Sequence, residues 1–205
     1  MATINEQILE RIKNMNDEAV FVSSDFTDIA DINTVRQILS RQEQTGEIQR
    51  IMRGIYYCPK YSELLGEYEA PSPHRVAMAI ARKFGWTIAP SGNTALNQLG
   101  LSTQVPAKWS YISDGPYNSF EFGTVEIEYK HRSNKDISGL SYKTALVIQA
   151  IRALGKENIG SAEIAKIRQC LSEQEKENLL TEAQKSTAWI YKYMKEICRK
   201  EEQDV

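Results

Sequence analysis

Only three of the 205 residues are cysteine and only two are histidine. Cys58, Cys170 and Cys198 are widely spaced and odd in number. They fit neither a disulfide framework nor a zinc site, and they point to a reducing compartment. His74 and His131 fall in different predicted elements with no nucleophile or further ligand beside them, which argues against a catalytic or zinc role. No stretch approaches the roughly 18 consecutive apolar residues of a membrane helix. The opening residues Met1-Ala2-Thr3-Ile4-Asn5-Glu6 have neither the basic nor the apolar region of a signal peptide. A cytoplasmic protein without membrane contact is therefore expected. A net charge of −2 also lacks the basic excess of a chain that coats nucleic acid along its length.

Charge is nevertheless polarised locally. Residues 1–32 hold Arg11 and Lys13 against Glu6, Glu10, Asp17, Glu18, Asp25, Asp28 and Asp31, whereas from Asn33 to Lys60 the bases Arg36, Arg41, Arg50, Arg53 and Lys60 meet only Glu43 and Glu47. The hydrophobic pattern changes in step. Ile4, Ile8, Leu9 and Ile12 recur at helical spacing over 4–15, and Val20-Phe21-Val22 is a short extended run. Ser23, Ser24 and Asp25 supply capping chemistry for a short helix around 24–29, and Asp31 or Asn33 can cap a third. In that third helix Val35, Ile38 and Leu39 face inward, leaving Thr34, Arg36, Gln37, Ser40, Arg41 and Gln44 outside, with Gly46 as its stop. Ile48 to Tyr57 alternates and breaks at Gly54, as a β-hairpin does.

Helix, strand, helix, turn, helix and hairpin is the order of a winged helix-turn-helix, in which the third helix enters the DNA major groove. Arg and Gln suit paired contacts to base edges, and Ser and Thr suit phosphates or single edges. The predicted DNA-binding residues are thus Thr34, Arg36, Gln37, Ser40, Arg41 and Gln44, with Arg50 and Arg53 of the wing against phosphate. A plain solvated helix face and an ordinary hairpin would show many of the same residues; the order of elements is the more specific feature.

The expected fold class is α+β: a winged helix-turn-helix over 1–65, then over 70–205 a small mixed α/β domain with a helical C-terminal section. Gly66 to Pro73 reads as the linker. A helix with Val76, Ile80 and Phe84 inward follows and stops at Gly85; strands are expected at 86–89, 109–113, 120–122 and 125–130, with a helix at 94–99. Helices are expected over 141–154, 161–171, 173–184 and 186–199.

Several features of the second part carry chemistry in principle. Ser91-Gly92-Asn93-Thr94 opens a helix after a strand, where backbone N–H groups favour anions, yet it has no further P-loop residue and fits plain capping better. Asp114 with Glu128-Tyr129-Lys130 has the loose form of a magnesium-dependent nuclease core. Lys130-His131-Arg132 with Lys135 is the basic cluster of this part and reads as a solvated loop or a nucleic-acid contact. Trp189, Tyr191 and Tyr193 among Lys185, Lys192, Lys195, Arg199 and Lys200 suit base stacking, although Trp189, Ile190, Tyr193, Met194 and Ile197 read more simply as a packing face. No enzyme activity, cofactor or metal is expected.

Two segments carry a family resemblance. Arg53-Gly54-Ile55-Tyr56-Tyr57-Cys58-Pro59, and Ser91 to Pro106 followed by Tyr111-Ile112-Ser113-Asp114-Gly115, resemble the AbiEi-like antitoxins of type IV toxin–antitoxin systems over roughly residues 5–155. The resemblance implies a winged helix that binds operator repeats of its own promoter. It also implies a C-terminal domain that opposes a nucleotidyltransferase-like toxin, and a setting in phage defence. It supplies no residue map of antitoxicity. The alternatives that stay open are a nuclease using Asp114, Glu128 and Lys130, and a stand-alone regulator without a toxin. A homodimer on paired half-sites and a monomer on consecutive repeats both fit.

Overall fold

The computed structural model describes residues 2–15, 19–64, 66–132, 137 and 139–199. The chain is of the α+β class and divides into two compact units, 1–86 with 122–124, and 87–121 with 125–205.

The first unit begins with α1 (Ile4–Asn14), whose capping box joins Thr3 and Glu6: the Thr3 hydroxyl oxygen accepts from the Glu6 amide, and the Glu6 carboxylate accepts from the Thr3 amide at 2.7 Å. Strand β1 (Val20–Val22) runs into a 3-10 turn, Ser23–Phe26. The helix expected over 24–29 is this single tight turn, because Asp25 reaches back to the Val22 amide at 2.9 Å and closes the backbone locally. Helix α2 (Ile32–Gln44) follows. Of its two possible caps the structure uses Asp31, whose carboxylate accepts from the amides of Asn33 and Thr34. Strands β2 (Gln49–Met52) and β3 (Ile55–Tyr57) form the wing, and β1 pairs antiparallel with β3 to give the order β1-β3-β2. One face of this sheet and the inner faces of α1 and α2 enclose Ile8, Ile12, Phe21, Phe26, Val35, Ile38, Leu39, Ile48 and Tyr56. Phe21 and Phe26 meet edge to face, 5.8 Å apart.

The first unit continues through the stretch that reads as a linker. There Tyr61–Ser62 (β4) and Glu67–Tyr68 (β5) pair as a two-stranded hairpin, and α3 (Pro73–Phe84) packs Val76, Ala77, Ala79, Ile80 and Ala81 inward. Pro73 sets the first turn of α3, and Gly85 in the left-handed region ends it. Phe84, expected on the inward stripe, is 45% exposed and stacks on Trp86 at 4.8 Å.

Two arginines tie this unit together. Arg11 grips Asp28 through two hydrogen bonds of 2.7 Å and donates to the Asp25 carbonyl at 3.2 Å. Arg82 of α3 grips the Asp25 carboxylate at 3.0 and 3.1 Å and donates to the Val20 carbonyl at 2.8 Å. Asp25 therefore closes the turn ahead of α2 and holds α3 as well.

The second unit has a four-stranded sheet in the order β6-β7-β9-β8, built from Ile88–Pro90, Lys108–Ser113, Val125–His131 and Asn118–Phe122 respectively. Strands β6 and β7 are antiparallel, while β7 and β9 are parallel. A short helix, α4 (Asn93–Gln98), sits between β6 and β7 in sequence. The helical section comprises α5 (Tyr142–Leu154), α6 (Ser161–Gln169), α7 (Glu173–Glu182) and α8 (Ala188–Cys198). Every residue of α5 from Thr144 to Ile151 is buried, so the other helices pack round it. Ile190, Met194 and Ile197 of α8 are buried in that core, and Trp189, Tyr191 and Tyr193 pack against it, as a packing face requires. No described helix is long and apolar enough to cross a membrane.

Candidate nucleic-acid interface

Helix α2 buries Val35, Ile38, Leu39 and Gln42, and this fixes its opposite side. Asn33, Arg36, Gln37, Arg41 and Gln44 are exposed and Ser40 is half-buried. Their spacing of three and four residues puts them in one stripe along the helix. Thr34 departs from the predicted set. Its hydroxyl donates to the Asp31 carboxylate at 2.5 Å, and this bond, with that from the Thr34 amide, holds Asp31 below the usual carboxylate range. Thr34 therefore completes the cap, and Asn33, which the sequence reading treats as a capping residue, joins the outward stripe.

In the wing, the register shifts between Arg50 and Met52, so that Arg50 lies opposite Tyr56 and Met52 opposite Ile55. This bulge sets the Arg50 guanidinium over the Tyr56 ring, 5.7 Å from its centroid. Arg50 also pairs with Glu43 of α2, fastening wing to helix. The turn at Arg53-Gly54 needs a positive φ, here 76°, which glycine adopts without penalty. Lys83 of α3 donates to the Arg53 carbonyl at 2.5 Å and so braces that turn from behind. Burial first, and the Arg53 charge second, hold the Lys83 ammonium below its usual pKa.

The result is a basic cleft of about 380 Å³, lined by Arg36, Arg50, Arg53 and Lys83 with Ser23, Gly54 and Tyr56. Arg36, Arg50 and Arg53 are thus brought together, whereas Gln37, Ser40, Arg41 and Gln44 lie on the same helix outside the cleft. Lys83 is the residue that sequence reasoning missed. The trace of it was the Arg82-Lys83 pair in the last turn of α3, which a reading of the apolar stripe alone passes over.

The second unit treats its charges differently. Glu128, 7% exposed, accepts from the Tyr117 hydroxyl at 2.5 Å, from the Ser110 hydroxyl at 3.3 Å and from Lys130 at 3.1 Å. The Tyr117 bond outweighs burial and, with Lys130, keeps Glu128 below its ordinary pKa. Lys108 pairs with Glu126 at 2.7 Å. The three residues of the nuclease alternative are not assembled. Lys130 meets Glu128, but Glu128 lies opposite Ser110 in the parallel register, four residues short of Asp114. That separation is about 13 Å along the strands. Asp114 instead accepts from the Thr87 amide at 2.8 Å. Among the described residues no group of three or more His, Cys, Asp or Glu is placed to hold a metal ion.

At Ser91–Thr94, Gly92 takes the capping position, and the Thr94 hydroxyl accepts from the Ser110 amide at 2.8 Å, which ties α4 to β7. In the basic cluster Lys130 is paired with Glu128, His131 Nδ1 bonds the Gly115 carbonyl at 2.8 Å, and Lys135 lies outside the described residues. Burial, then Arg75, lowers the pKa of His74.

No curated protein matches this sequence. A solved structure, the RV2827C protein from Mycobacterium tuberculosis, is similar over 97% of this chain and 77% of that one, at 10% identity and a TM-score of 0.40. Residues 7–179 match DUF6088, a family of unknown function, and the chain belongs to that family.

Proposed function

We propose that this protein is a sequence-specific DNA-binding transcriptional repressor acting in the cytoplasm on its own promoter, with residues 1–86 as the DNA-binding part. The observation that carries the reading is the uncompensated charge of one face. Arg36 and Arg41 stand exposed on α2 with no carboxylate partner among the described residues, beside the paired wing strands. An exposed helix bearing Asn, Arg, Gln and Ser in one stripe has the donors and acceptors that read base edges, and the wing has the charge for phosphate. Gel shifts on duplexes tiling the region upstream of the gene test this. A preferred fragment that survives competition by unrelated DNA is the expected result, and equal affinity for all fragments would refute sequence specificity.

The second unit is proposed to act as an antitoxin module against a nucleotidyltransferase-like toxin. This part rests on the resemblance of the segments 53–59, 91–106 and 111–115 to AbiEi-like antitoxins. Co-expression with a neighbouring gene of that toxin type should restore growth, and continued arrest would count against it.

A further inference from the structure

The basic cleft of the first unit draws its cations from three elements far apart in sequence: Arg36 from α2, Arg50 and Arg53 from the wing, and Lys83 from α3. Among the described residues no carboxylate lines it; Glu43 pairs with Arg50 without being a lining residue. Folding the chain so that four like charges share one cleft opposes stability, and a bound anion relieves that repulsion. A ligand that only accepts hydrogen bonds fits this lining best. The non-bridging oxygens of a phosphate diester are such acceptors, and guanidinium forks match them geometrically. Lys83 spends one N–H on the Arg53 carbonyl, and an ammonium carries three. The brace on the wing therefore leaves donors for an anion.

We propose that this cleft seats a phosphate of the DNA backbone, with Lys83 as a direct ligand, so that the DNA-contacting surface extends past the winged helix into α3. The proposal rests on the DNA-binding reading and deepens it. A phosphate contact is sequence-independent and releases counterions, so each one contributes roughly 0.9 to the slope of log affinity against log salt.

The test measures fluorescence anisotropy of the full chain on a short random-sequence duplex across a sodium chloride series, for wild type, Lys83→Ala and Lys83→Gln. The glutamine variant keeps a donor for the Arg53 carbonyl and separates lost charge from lost wing support. Both variants should bind about 5- to 10-fold more weakly at low salt, with the slope reduced by about one, and Lys83→Arg should restore both. Unchanged affinity and slope in both variants would overturn the phosphate site and leave the DNA-binding reading standing. Weaker binding in Lys83→Ala alone, with Lys83→Gln like wild type, would also overturn it, since Lys83 would then only brace the wing. Wild type that binds no duplex at low salt would overturn both readings.

Discussion

The two units use their basic residues differently. In the second, Lys108 and Lys130 along the β7–β9 pair each meet a carboxylate, Glu126 at 2.7 Å and Glu128 at 3.1 Å. In the first, the arginines divide by role. Arg11 and Arg82 are each held by an aspartate and Arg50 by Glu43, and these serve as scaffold, while Arg36 and Arg41 point outward with no carboxylate partner among the described residues. A charge that the fold compensates contributes to holding elements together, whereas a charge left uncompensated on an ordered helix is available to an external anion. By that criterion the outward arginines of α2 support the proposed binding face, whereas Lys108 and Lys130, although partly exposed, are already paired.

The largest effect that can break this comparison comes from replacing both outward arginines. Arg36→Ala with Arg41→Ala removes two contacts of the kind worth about 1–3 kcal/mol each, so affinity for the preferred promoter fragment should fall at least 30-fold or so. A gel shift indistinguishable from wild type would remove α2 as the reading element. Next in size is Arg82→Ala, which takes away the grip on Asp25 and Val20 without touching the outward stripe. Its partial exposure limits the cost to about 1 kcal/mol, visible as a lowered denaturation midpoint. A midpoint at the wild-type value would show that α3 is held by its apolar face alone. The smallest expected effect is none. Lys108→Ala with Lys130→Ala should leave DNA affinity within about twofold, because both charges are already spent on carboxylates. A tenfold loss would move part of the binding face into the second unit.

Much of this was legible in the sequence because periodicity reports burial directly. Val35, Ile38 and Leu39 defined the inner side of α2 and therefore its outer stripe, and the helices of the C-terminal section fell close to their apolar repeats. Local capping was harder to read. Asp31 and Asn33 are both good cap residues, and the choice between them depends on backbone geometry two residues away. The segment after β1 falls short of a full helix for a related reason: Asp25 satisfies the Val22 amide and tightens the backbone into one 3-10 turn. The Arg82-Lys83 pair marks a basic helix end, but the sequence does not say that Lys83 joins the basic cleft. It lies thirty residues beyond Arg53, and only the packing of α3 brings it there.

Helix α5, enclosed on every side from Thr144 to Ile151, carries a consequence for the motions of the molecule. Its backbone amides reach solvent only when the surrounding helices separate, so in deuterated water they should be the last of the second unit to exchange. The paired residues of the exposed hairpin Tyr61–Ser62 and Glu67–Tyr68, which open by local fraying, should exchange among the first.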